Sequence, residues 1–215
     1  TKSGYTFVGW NTNKNATTAL SSLNAPASGV TLYAIFKKDI TATYKYWNGS
    51  AAATTTKSAT VYNKTTSATI TAPTLANSSK DGIIYIARGW STSNAADATT
   101  VNATVSLVNN TTYYASYIST PTISLTYNAN SGSGAPGGQT GKITRYMNYV
   151  GTTKDSGSVP FAVSTTKPTR TGYVFASWNT KSDGTGTSYA SGSTLKTSAN
   201  VTLYAIWRKE VKVGD

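Results

Sequence analysis

The sequence predicts a mainly β protein built from small tandem modules, and three observations carry that expectation. The phrases "SGYTFVGWNT" (3–12) and "TLYAIF" (31–36) return in the same order as "TGYVFASWNT" (171–180) and "TLYAIW" (202–207), within 215 residues. Thr, Ser, Asn and Gly dominate beside 15 Tyr, 5 Trp and 4 Phe, a mixture suited to pleated, half-exposed strands joined by tight turns. Within the repeated phrases apolar residues alternate with others, which is the two-residue period of a strand.

A more divergent copy, "RGWSTSNAADATTVNATVSLVNNTTYYASY" (88–117), lies between the two obvious ones. The anchor tryptophans Trp10, Trp90 and Trp178 are 80 and 88 residues apart. Each precedes a tyrosine, Tyr33, Tyr114 or Tyr204, by 23, 24 or 26 residues, so the spacing varies only inside polar loops. The leading halves also correspond: "ITATYKY" (40–46) matches "ISLTYNA" (123–129), and "ATVYN" (59–63) matches "ITRYMNYV" (143–150). Residues 1–39 therefore read as the trailing half of a unit, 40–119 as a complete but divergent unit and 120–209 as a second complete one. Residues 210–215, "EVKVGD", read as the start of a following unit or a tail. That tail is expected to be disordered or to add to an exposed sheet edge by strand exchange between copies. "KKDI" (37–40) and "ISTPT" (118–122) read as short linkers.

Simple alternation places Tyr5, Phe7 and Gly9 on one face and Thr6, Val8 and Trp10 on the other. Leu32, Ala34 and Phe36 share a face opposite Tyr33 and Ile35. Aromatic burial supplies most of the stability of a module this small. The expected repeat core is Tyr5, Phe7, Trp10, Leu32, Ala34, Phe36, Trp90, Tyr114, Tyr173, Phe175, Trp178, Leu203, Ala205 and Trp207. Apolar phrases recur at Leu20 and Leu23, at Val105 and Leu107, and at Leu195; a short helix of one or two turns, or a loop, carrying Leu20 and Leu23, or Leu195, should cover the sheet. Gly4, Gly82 and Gly172 precede strands, where turns of positive φ are expected. Tyr44, Tyr46, Tyr146, Tyr149 and Tyr189 are the residues expected to lie open to a ligand.

Composition limits the chemistry. Cys and His are both absent, which removes thiolate and imidazole metal ligands, disulfides and the commonest general base. The seven carboxylates are scattered. No enzyme activity, cofactor or metal is expected. Net charge is +12, dispersed rather than clustered, so attraction to polyanions is expected without a nucleic-acid footprint. No apolar run is long enough to span a bilayer. "GSGAPGG" (132–138) lacks the Lys-Ser/Thr of a phosphate-cradling loop, and "KPTR" (167–170) reads as a solvated cationic turn.

The phrase "PTRTGYVFASWNT" with "TLYAIW", and the opening "ISLTYNANSGSGAPGGQ" (123–139), resemble the Listeria–Bacteroides repeat family, which includes the B-repeat of internalin B. The middle unit departs from the pattern, with eight residues from Gly82 to Trp90 against six from Gly4 to Trp10 and from Gly172 to Trp178. The resemblance implies tandem β-grasp-like modules, each a mixed sheet with one short helix, strung as an elongated array. It implies a non-catalytic stalk, spacer or adhesion array at a bacterial cell surface, outside the cell and associated with the wall. Other surface or host proteins are the implied partners. The alternative is a module binding host glycans or wall polyanions such as teichoic acid through exposed Tyr and positive charge.

Overall fold

A computed structural model of the chain describes every residue except 25–26, 64, 66, 101–103, 108 and 212–215. It falls into two compact units, Thr1–Ile118 with Tyr146–Thr153, and Ser119–Arg145 with Lys154–Asp215. Among the described residues there is no helix.

The first unit contains β1 (Thr6–Asn11), β2 (Tyr33–Trp47), β3 (Ala52–Tyr62), β4 (Ala68–Thr71), β5 (Ser78–Lys80), β6 (Ile83–Ser91), β7 (Thr104–Leu107) and β8 (Thr111–Ser119). The start of β8 runs parallel to the second half of β2, and β6 pairs antiparallel with the rest of β8. β3 lies antiparallel along β2, β1 pairs with the start of β2, and β5 folds against β6. A separate ribbon, β4 with β7, sets Val105 opposite Ile70. Ile70 and Leu107 join a core with Ile40, Ala42, Tyr44, Tyr85, Trp90, Tyr113 and Tyr117. Burial pushes the Tyr117 hydroxyl up to about 12, although its hydrogen bond with the Trp47 backbone pulls the other way.

The expected linker "KKDI" is not a linker. It lies inside the 15-residue strand β2, where Lys37, Lys38, Asp39 and Ile40 pair with Tyr62, Val61, Thr60 and Ala59. Ile40 is fully buried. One continuous strand thus runs through the unit boundary expected between residues 39 and 40.

The chain continues with β9 (Thr122–Asn128), β10 (Gln139–Lys142), β11 (Thr144–Asn148), β12 (Thr153–Ser156), β13 (Val159–Ala162), β14 (Tyr173–Asn179), β15 (Ser188–Tyr189), β16 (Thr194–Thr197) and β17 (Val201–Lys209). The second unit's sheet has the order β10-β9-β17-β14-β15, with β9 and β17 parallel and the remaining pairs antiparallel. The β13–β16 ribbon places Phe161 opposite Leu195. Between ribbon and sheet lie Ile123, Leu125, Phe161, Val163, Trp178, Leu195, Leu203 and Ala205. The last residues of β11 belong to the first unit, where Met147 is fully buried in the core.

The same pairing register occurs three times. Trp10 faces Ala34, Trp90 faces Ala115 and Trp178 faces Ala205. The residue after each tryptophan faces the matching tyrosine, Tyr33, Tyr114 or Tyr204. A bulge precedes each tryptophan, between Phe7 and Gly9, Ala87 and Gly89, and Phe175 and Ser177. The two additional residues between Gly82 and Trp90 lie ahead of that bulge, in the β5–β6 hairpin.

The bulges overturn the simple alternation. One unpaired residue (Val8, Arg88 or Ala176) switches the remaining strand to the other face. Phe7 and Trp10 therefore stand over Phe36 and Ala34 on one face, with ring centroids 5.7 Å apart. Phe175 and Trp178 repeat the contact at 5.2 Å. Gly9 and Gly89 meet the backbone demand with φ of +147° and +131°.

The expected short helix is replaced by ribbon strands. Leu107 and Leu195 reach the core from β7 and β16. Both ribbons are rich in Thr, which loses rotamer freedom in a helix but suits a strand. A β-grasp module with a sheet-covering helix is therefore not what these residues build. The turns ahead of β1, β6 and β14 do follow expectation, with Gly4, Gly82 and Gly172 at φ of +74°, +75° and +74°.

Candidate functional site

In the second unit, the segment from β13 to β14 and the turn after β9 enclose an open groove. Its lining includes Lys167, Arg170, Tyr173, Phe175, Trp207 and Glu210. Backbone bonds between Ser133 and Thr169, 2.8 and 2.9 Å long, join its two walls. The Trp207 indole donates to the carbonyls of Ala129 and Asn130 at 3.1 and 2.9 Å. A Cβ on Gly132 would sit 2.5 Å from that indole and 2.6 Å from the Thr169 carbonyl, so the approach requires glycine. Phe175 packs edge-on to Trp207, and the Arg170 guanidinium lies 3.9 Å from the centre of the Tyr173 ring.

A fixed aromatic wall beside two cations suits a flat, partly apolar ligand that carries an anionic group. Glu210 opposes such charge at one edge. The solvated turn expected at "KPTR" is thus one wall of the groove, and Pro168 within it is buried. Its signal in the sequence was the join of two cations to "TGY", but the role of the glycine-rich turn as the facing wall has no local signature.

The expected repeat-core residues divide sharply. Trp178, Leu203 and Ala205 are fully buried and Trp90 is 4% exposed. Tyr5, Ala34, Phe36, Tyr114, Tyr173, Phe175 and Trp207 are half-buried. Trp10, Phe7 and Leu32 are not core: they are 53%, 49% and 39% exposed. Among the described residues of 1–39 there is no counterpart of β9 or of a ribbon to cover that face.

The tyrosines expected to meet a ligand mostly pack inside the protein. Tyr44 is fully buried, with its ring 4.8 Å from Trp90 and stacked 5.3 Å from Tyr113, so it is closed to ligands. Burial and neighbouring Tyr113 raise its hydroxyl above the ordinary tyrosine value. Tyr146 lies under Arg88, and Tyr149 packs on Tyr114. Tyr189 faces Trp178 across β14 and β15. Tyr46 is half-buried and lines a smaller cleft with Trp47, Leu75 and Trp90. Residues 212–215 of the tail lie outside the described residues.

Among the described residues no three His, Cys, Asp or Glu gather as a metal site. Asp155 takes a two-pronged contact from Arg145 at 2.5 and 3.0 Å, which holds its carboxyl below the usual range. Asp183 caps the turn at Thr185, whose backbone amide lowers it likewise. These two acids therefore have structural roles.

Three asparagines mark the repeat as clearly as the tryptophans. Asn63, Asn148 and Asn130 donate their side-chain amides to the carbonyls of Lys14, Asn94 and Ser182, each four residues past its tryptophan. The Listeria-Bacteroides repeat domain model matches residues 1–35 and 124–206. The chain belongs to this repeat family. No curated protein and no solved structure matches it. The family match leaves out 36–123, yet β6 and β8 reproduce the bulge and register of the matched segments. Listeria-Bacteroides repeats are typical of bacterial surface proteins and are generally non-catalytic.

Proposed function

We propose that this Listeria-Bacteroides repeat segment is a non-catalytic spacer and interaction array of a bacterial cell-surface protein, lying outside the cell. The observation carrying this reading is β2, a single strand that pairs with β1 of the half repeat and with β8 of the next repeat. A strand shared by consecutive repeats resists bending at the junction, because bending would break ladder hydrogen bonds along β3. Mechanical reach then follows from repetition, with no reaction to catalyse.

Small-angle scattering of the 215-residue chain tests the reading. A distance distribution with a long tail is expected for a spacer; the symmetric distribution of a compact globe contradicts it.

The aromatic-cationic groove favours a second reading, a module that holds acidic glycans or wall polyanions. Titration with a teichoic-acid preparation at rising salt is the corresponding measurement. Affinity should fall steeply as the Debye length shrinks from roughly 10 Å towards 3 Å and should weaken in Arg170→Ala. Absence of binding, or binding indifferent to salt, removes this second role.

A further inference from the structure

We infer that the exposed face of residues 1–39 is a receptor for the leading half of another repeat, whose opening strand brings a tyrosine onto Trp10. The inference deepens the array reading and rests on it. Three observations identify the occupant.

The first is the aromatic pair. In both complete repeats the tryptophan holds a tyrosine from the opening strand edge-on, Tyr44 on Trp90 and Tyr127 on Trp178, each at 4.8 Å. Trp10 occupies the same register opposite Ala34, and among the described residues its ring packs edge-on with Phe7 of its own strand. The tyrosine position above it is open, and Trp10 is 53% exposed against 4% for Trp90 and 0% for Trp178.

The second is the strand edge. β8 and β17 begin at Thr111 and Val201, three residues before Tyr114 and Tyr204, because β2 and β9 run parallel beside those starts. β2 begins only at the matching Tyr33. Among the described residues no strand runs parallel to 30–33, and residues 30–32 are not paired into the sheet. Backbone groups that are bonded in both complete repeats are left to solvent, as at any edge able to accept a strand.

The third is the apolar surface. Leu20, Leu23 and Leu32 border a shallow depression beside Trp10, with exposures of 38%, 46% and 39%. The complete repeat covers the matching Leu203 and Trp178 with Leu125 from β9, Phe161 from β13 and Val163 just past it. The fitting occupant is therefore a strand of the type Ile-x-Leu-x-Tyr followed by a ribbon strand, as found in 123–163.

The test joins a second copy of residues 119–168 in front of Thr1 of the full chain. The copied Pro168 then stands five residues before Tyr5, as the native Pro168 stands before Tyr173. The protein is labelled with fluorotryptophan, and the Trp10 resonance is assigned by its loss in Trp10→Phe. In the extended chain the Trp10 line should lose at least about five-fold of its sensitivity to a soluble quencher and match Trp178. Tyr127→Ala made only in the added copy should restore much of that sensitivity, while unchanged Trp90 and Trp178 lines report an intact remainder. A peptide of sequence 122–130, titrated onto the unextended chain, should shift the Trp10 line selectively. A Trp10 line that stays fully accessible in the extended chain and is unmoved by the peptide overturns the inference. So does burial of Trp10 that depends only on the concentration of the unextended chain, since a second copy would then be the occupant. Neither result bears on the scattering curve that tests the spacer reading.

Discussion

The middle and last repeats hold the same pair of rings with opposite hydrogen bonding. In the middle repeat the Trp90 indole donates to the Pro73 carbonyl at 3.0 Å, while the buried Tyr44 hydroxyl has no partner among the described residues. In the last repeat the Tyr127 hydroxyl accepts from the Ser164 amide at 2.8 Å and from the Gln139 side chain at 3.1 Å. There it is the buried Trp178 indole that lacks a partner. Pro73 and Ser164 follow Ala72 and Val163, the buried residues just past the ends of β4 and β13. Proline has no amide hydrogen to offer a tyrosine, so one substitution exchanges which ring is satisfied. Ring-to-ring packing, unchanged at 4.8 Å, outlasts the polar partner. The aromatic pair defines the repeat; its hydrogen bonds are local adjustments.

The largest effect should come from removing the indoles. Trp90→Ala and Trp178→Ala should each cost about 3–5 kcal/mol, because a large buried ring leaves a cavity. Trp10→Ala should cost less than about 1 kcal/mol, since its ring is already half in water. Denaturant midpoints of the three variants decide the matter, and equal losses at all three sites would break the comparison.

A smaller effect separates the tyrosines. Tyr127→Phe should cost about 1 kcal/mol by stranding the Ser164 amide, whereas Tyr44→Phe should be neutral or slightly stabilising because it deletes an unpaired buried hydroxyl. Making Ser164→Pro together with Tyr127→Phe should cost less than the sum of the single changes. Additive costs in that cycle would show that the amide and hydroxyl are not coupled.

Much of this was legible from residue order. The Trp-to-Tyr spacing marks three equivalent strand pairs, and the glycines at 4, 82 and 172 mark their entry turns. The bulge was not legible from alternation, since inserting one residue reverses a two-residue period without changing composition. The glycine before Trp10 and Trp90 hints at it, but Ser177 holds the same place in the last repeat. The ribbons were misread because Leu107 and Leu195 announce burial without announcing which element buries them. Trp10 was misplaced because local sequence records what a residue can bury, not whether anything lies over it. The groove depends on Gly132 meeting Trp207, a contact between residues 75 apart in the chain.

The account depends above all on consecutive repeats sharing β2. Amide hydrogen exchange from Lys37 to Thr41 tests this directly. The β3-facing amides there should exchange as slowly as those around Tyr44, and the Thr41 amide, held by the Asn110 side chain at 2.8 Å, should be slow as well. Rapid exchange confined to 37–41, between protected flanks, would reveal a hinge at that point and contradict the shared strand.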